Sequence, residues 1–188
     1  MEVSVPDRLS DGVVALRLMT PTDAPAYARA FREDPDLGVL LGFDTDPDEA
    51  EASRSLAGVQ ERASLGQAVE FAIVAERDAA LLGSVLVFQF HRRHRRCEVG
   101  FWVARHARRT GVGRRAVALA IDWAFDGVGV ERIEMTTTPE NPVIPSFARS
   151  LGFAYEGCLR GRNLERGARV DTLHFGLLRD EWPPAGPA

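Results

Sequence analysis

One stretch constrains this chain more than any other: CEVGFWVARHARRTGVGRRAVALAIDWAF (97–125), followed by RIEMTTT (132–138). CEVGFWVA is a strand-like apolar run. From residue 111 to 126 the apolar side chains recur with a helical period, at Val112, Ala116, Leu119, Ala120 and Trp123 and again at Val117, Ile121, Ala124 and Phe125. Gly127 and Gly129 are placed to stop that helix. A long helix between two strands cannot be a hairpin connection. The strands at 97–104 and 132–138 should therefore run parallel with a right-handed crossover.

The flanking sequence supplies antiparallel partners. VVALRLM (13–19), EFAIVAE (70–76) and LLGSVLVFQF (81–90) read as strands, the last two and 97–104 forming a tight meander. Helices are predicted from Thr22 or Asp23 to about Asp34, and from Asp46 (N-cap), Pro47 and Glu49 to about Leu65, ended by Gly66. Asn141 and Pro142 read as the cap and first residue of a helix ending at Leu151, with Gly152 beyond it. FAYEGCLRGR and RVDTLHFGLLR read as a closing hairpin turning near Glu165–Gly167. The expectation is one α/β (α+β) domain over residues 1–182, with a mixed, mostly antiparallel sheet of about six to seven strands, flanking helices and a Pro-rich tail at 183–188.

Charge is distributed unevenly. The net charge of −4 argues against general nucleic-acid affinity. Residues 1–78 hold 16 acidic and 7 basic side chains, net −9, whereas 91–115 hold nine arginines and one glutamate, net +8. All 23 basic residues are Arg. Two cysteines without close spacing suggest neither a metal site nor a disulfide framework and fit a reducing cytoplasm. No apolar run is long enough to cross a bilayer, and MEVSVPDRLSDG does not read as a secretory signal.

The positive region centres on RRTGVG (108–113). A helix starting at a glycine after a strand presents unpaired N–H groups and the positive end of its dipole, a setting that favours phosphate. Gly111 and Gly113 would let phosphate oxygens reach the backbone, and Arg108 and Arg109 would add charge-assisted donors. A plain strand-to-helix turn explains the same glycines. Two phosphate loops are excluded: there is no G-x-x-x-x-G-K-[ST] in a chain without lysine, and no G-x-G-x-x-G.

RRTGVG resembles the Q/R-x-x-G-x-G/A motif of the GNAT acetyltransferases, and the likeness extends over nearly the whole chain. CEVGFWVARHARRTGVGRRAV, TTTPENPVIPSFARSLGFAYEG and RVDTLHFGLLRDEW are similar, in order and spacing, to segments of the family's RimJ/RimL branch. The resemblance implies a GNAT fold whose parallel strand pair splays to admit pantetheine. It implies an acetyl-CoA-dependent N-acetyltransferase acting on a primary amine, either a protein N-terminus or a small molecule, by direct attack. It also implies cofactor contacts at Phe101, Trp102, Val103, Arg108, Arg109, Thr110, Gly111, Val112, Gly113 and Asn141, no metal, and a possible homodimer by analogy.

Glu98 is the candidate base, three residues before Phe101 in the same strand; a structural pairing with a nearby arginine is the competing explanation. Asn141 matches the family's asparagine near the acetyl end and also serves as a helix cap. The branch's serine three residues later is replaced by Ile144, and the tyrosine other branches use is replaced by Ala148. Ser146 points elsewhere on the helix. The usual thiolate-protonating groups are therefore missing, which leaves a catalytically weak acyl-CoA-binding or regulatory module as the alternative.

Other features have two readings each. HRRHRR (91–96) is a solvated hairpin turn or an RNA contact. His91 and His94 lack partners at metal spacing. DTDPDEAE (44–51) is a helix cap or an acidic wall for a cationic acceptor, and Asp171 is a lesser candidate for orienting the acceptor. Trp102 and Trp123 read as core.

Overall fold

The computed structural model describes residues 3–41, 46–165 and 167–183. Its centre is one eight-stranded sheet in the order β1-β2-β3-β4-β5-β6-β8-β7. The strands are β1 (Leu9–Ser10), β2 (Val14–Leu18), β3 (Ala68–Ala75), β4 (Leu81–His91), β5 (Arg96–Val103), β6 (Arg132–Thr137), β7 (Ala154–Glu165) and β8 (Ala168–Leu178). Only β5 and β6 pair in parallel, and the other neighbours are antiparallel. The count exceeds the expected six to seven because β1, two residues long, is too short to show a period in the sequence.

The helices are α1 (Ala24–Glu33), α2 (Pro35–Leu40), α3 (Glu49–Ala57), α4 (Val59–Ser64), α5 (Val112–Asp122) and α6 (Val143–Ser150). Three differ from the sequence reading. α2 is a separate turn-and-a-half following Asp34. The helix expected over 46–65 is two helices divided at Gly58. Its start is capped by Asp48 rather than Asp46: the Asp48 carboxylate accepts the Glu51 N–H at 2.7 Å, and Glu51 accepts the Asp48 N–H in return. Both Asp46-x-x-Glu49 and Asp48-x-x-Glu51 fit a capping box, and the second is the one formed. Asp44 and Thr45 lie outside the described residues, as do the last five residues of the expected tail.

Alternation along the strands sends side chains into two cores. Phe71, Ile73, Val85, Val99, Ile133, Met135, Phe175 and Leu177 pack on one face with α5 and α6. Ala72, Val74 and Trp102 pack on the other with α1 and α3. Arg17, which interrupts the apolar run of β2, forms a two-pronged pair with the buried Asp23 just before α1. α5 passes into a π turn at Trp123–Val128. Trp123 donates its ring N–H to Ser4, and Trp182 donates to Asp122, so both ends of the chain are tied to this helix.

Candidate active site

The site begins where β5 and β6 separate. They pair only over Arg96–Glu98 and Arg132–Glu134. Beyond Glu98, β5 keeps its pairing with β4 up to Val103 but has no partner on its other side. The Ala104 N–H donates to Leu82 on β4. By strand alternation, the backbone groups of Phe101 and Val103 therefore point away from β4 into the fork. Trp102 does not: its backbone faces β4, and its ring is buried against Tyr27 and Phe31. Of the three residues expected to meet ligand here, Trp102 belongs to the core.

At the end of β5 the chain makes a short 3-10 turn and enters the loop. Arg109 and Gly111 both adopt left-handed backbone, with φ of 62° and 85°. Thr110 braces the turn by donating its hydroxyl to Ala107 at 2.7 Å. The first backbone bond of α5 runs from the Arg115 N–H to Gly111. The amides of Val112, Gly113 and Arg114 thus precede the first helical donor and form the open head of α5.

The two glycines serve different purposes. A Cβ on Gly111 would meet nothing within 4 Å, so the space above it is open. A Cβ on Gly113 would press to 3.2 Å from Val103 and 3.4 Å from Phe101. Gly113 therefore lets α5 lie close on β5, a packing role beside the one expected of its backbone. Phe147 of α6 completes this contact, its ring 4.3 Å from that of Phe101.

The two arginines also divide. Arg108 turns inward: it donates to Val103 at 2.9 Å and forms an ion pair with the buried Asp34 at the head of α2. It ties the loop to the body of the protein. Arg109 is exposed and sits on left-handed backbone. Charge alone made the pair look equivalent.

Glu98 stands at the base of the fork and is 7% exposed. Thr136 on β6 donates its hydroxyl to it. Burial pushes the Glu98 carboxyl above the ordinary carboxylate range; Thr136, His174 and Arg162 oppose that shift, and Glu134 adds to it. Among the described residues, no arginine forms an ion pair with Glu98. The competing explanation fits Glu134 instead, which is held by Arg96 at 2.6 Å and Arg132 at 3.0 Å. A second carboxyl on the same sheet face, Glu70, accepts from the buried Ser84 at 3.3 Å and is also pushed up by burial.

Asn141 accepts the Val143 N–H at 3.3 Å in the turn before α6, whose cap residue is Pro142 and not Asn141 as expected. Ile144 packs on the core and Ala148 is fully buried. Ser146 is exposed and bonded to Val143. Asp171 accepts the Gly161 N–H at 2.7 Å, which ties β7 to β8. It lies on the opposite face of β8 from His174, so nothing in its placement connects it with the fork.

In HRRHRR, Arg95 bonds Gly129 and Glu131, and Arg96 bonds Glu134, so half of its arginines hold the β4–β5 turn in place. His91 accepts the His94 N–H within that turn. Among the described residues, no group of three or more His, Cys, Asp or Glu is placed to hold a metal, and no helix is long and apolar enough to cross a membrane.

Sequence reading missed Thr136, Thr172, His174, Asp34 and Phe147. The polar pair at 172 and 174, alternating within an otherwise apolar closing strand, was the one available signal.

Comparison with known proteins supplies the family. A sequence model of the acetyltransferase (GNAT) domain matches residues 14–154. The chain is 26% identical over 182 residues to the uncharacterized N-acetyltransferase p20 of Bacillus licheniformis, covering 97% of this chain and 99% of that one. Its fold matches Mycobacterium smegmatis RimJ in complex with CoA-disulfide, with a TM-score of 0.88, 26% identity, and coverage of 97% and 92% of the two chains. It also matches RimL, a ribosomal L7/L12 alpha-N-protein acetyltransferase in complex with coenzyme A, with a TM-score of 0.80, 15% identity, and coverage of 92% and 97%.

Proposed function

The chain belongs to the acetyltransferase (GNAT) family, and we propose that it transfers the acetyl group of acetyl-CoA to the α-amine of a protein or peptide. The observation that carries this reading is the pairing of two features along one strand. An open, positively biased helix head lies at the end of β5, and a buried carboxylate, bonded by Thr136, lies at the fork below it.

The residues present suit a CoA pyrophosphate. The open space above Gly111, the amides of Val112, Gly113 and Arg114, and the exposed Arg109 form a cradle for negative charge. Arg108 supports that cradle from behind through Asp34. Acetyl-CoA, when bound, supplies an acetyl thioester. The fork between β5 and β6 accepts the pantetheine arm, and the Phe101 N–H is free to donate to a carbonyl oxygen that gains negative charge.

Glu98 takes the proton of the acceptor ammonium, directly or through water. An α-ammonium titrates near ~7.7–8.0, so a carboxylate raised by burial is a sufficient base. A thiol titrates near ~8.5, so the departing thiolate is tolerable without a dedicated acid. That fits the apolar residues at 144 and 148. The RimJ and RimL neighbours support an α-amine acceptor, because RimL is described as an alpha-N-protein acetyltransferase.

Release of free thiol from acetyl-CoA in the presence of a panel of N-terminal peptides and alkyl amines tests the proposal. Amine-dependent release with acetylated product by mass supports it. Tight CoA binding with no turnover on any amine would instead establish a CoA-binding module.

A further inference from the structure

The buried polar atoms that lack partners are concentrated beside the fork. Among the described residues, two buried side-chain atoms have no hydrogen-bond partner: Thr172 Oγ1 and His174 Nε2. Both belong to β8 and, two residues apart, share one face of it. It is the face of Glu98 and Thr136, because their neighbours Met135, Leu173 and Phe175 all turn to the opposite core. Thr172 is 2% exposed.

Register places these groups in order. His174 lies directly opposite Thr136 on β6, and Thr136 donates to Glu98 on β5. Glu98, Thr136 and His174 therefore form one row across three strands. Thr172 is the next residue on that face of β8, just past Thr137–Leu173, where β6 ends its pairing. The charged groups around the row are largely committed. Glu134 is held by Arg96 and Arg132, and Glu156 on β7 is held by Arg132. Arg162 on β7 and the carboxylate of Glu98 remain.

A buried polar group left unpaired costs about 1–3 kcal/mol, so such groups are rare in a folded chain. Two together, beside the buried Glu98 carboxylate, point to a place where a ligand would supply the missing bonds.

We propose that Thr172 and His174 determine acceptor specificity by hydrogen-bonding the group next to the amine that Glu98 deprotonates. The proposal rests on the acetyltransferase reading and narrows it. The acceptor must carry both a hydrogen-bond acceptor and a donor within two or three bonds of its nitrogen. A peptide N-terminus does: its first carbonyl takes a bond from the Thr172 hydroxyl, and its following N–H donates to His174 Nε2. A plain alkyl amine offers neither.

The test compares a short peptide with a free N-terminus and butylamine, each with acetyl-CoA and the full-length chain. Thr172→Val keeps shape without the hydroxyl, and His174→Phe keeps the ring without nitrogen. Each should raise the peptide KM about tenfold, the equivalent of one hydrogen bond, leave the acetyl-CoA KM unchanged, and collapse the preference for peptide over butylamine. Thr172→Ser and His174→Gln, which restore a polar atom, should recover most of the loss. An unchanged peptide KM would show that water satisfies both atoms and would overturn the proposal. Equal losses on both amines would reduce the two residues to a structural role and overturn it as well. A wild-type chain that is inert toward every amine would refute the acetyltransferase reading itself, a different result from either of these.

Discussion

The loop that faces the donor and the row that faces the acceptor flank the open half of β5, yet they are assembled differently. The loop at 108–113 is local: strand, turn and helix head follow one another within twenty residues, and α5 returns onto the strand that precedes it. The acceptor row takes Glu98 from β5, Thr136 from β6, and His174 and Thr172 from β8. The loop offers backbone amides, the row side chains. In the loop a change of conformation is costly, whereas in the row a change of one functional group is.

The sharpest test of that contrast is Glu98→Gln, which keeps the shape and removes the base. It should lower kcat by ~10²–10⁴-fold, most steeply below the acceptor's pKa, without altering CoA affinity. An unchanged pH–rate profile would remove Glu98 from the chemistry. Gly111→Asp comes next. The added Cβ meets no protein atom, but the left-handed backbone strains any side chain, so the unfolding midpoint is measured alongside; the carboxylate enters the proposed phosphate cradle. Acetyl-CoA affinity measured by calorimetry should fall about a hundredfold, the weight of two charge-assisted bonds; unchanged affinity would break the loop assignment.

The two arginines should separate stability from binding. Arg108→Ala strands the buried Asp34 and should destabilise the fold by about 1–3 kcal/mol in denaturant unfolding. Arg109→Ala should weaken acetyl-CoA binding a few-fold and leave the unfolding midpoint in place. The reverse pattern would mean that Arg108 is the phosphate ligand.

The smallest effect is one of pH. Folding raises the Glu98 pKa, so the folded state binds more protons than the unfolded state between the two values. The stability tied to its protonated form is present below the ordinary glutamate value and is lost as pH rises through the folded one. Glu98→Gln should therefore raise Tm slightly at pH 7, with a gain that shrinks on acidification. A Tm gain unaffected by pH would show that ionisation is not the cause.

Much of the donor half could be read from the chain itself, because each of its parts is a local pattern. The strand at 97–104, the glycine after it and the helical period behind it needed no distant partner to be recognised. Even there, two assignments required the fold. Gly113 reads as a phosphate contact, and only the approach of Val103 and Phe101 adds that it also makes room for packing. Arg108 and Arg109 were indistinguishable by charge, until the left-handed turn at 109 separated them. The short elements, β1 and α2, were illegible because two to six residues carry no period.

The amino-acid order by itself determined the parallel β5–β6 crossover, the exposed head of α5 and the absence of a proton donor at 144 and 148. Hydrophobic period, helix-terminus chemistry and side-chain identity are all properties of contiguous residues. Only the tertiary structure decided that β5 and β6 part at Glu98, that it has no arginine ion pair among the described residues, and that two unpaired atoms of β8 lie in line with it. Those facts depend on strand register between segments well separated in the chain, such as Arg96 with Arg132 and Arg132 with Leu178, and register is set by how the whole sheet packs.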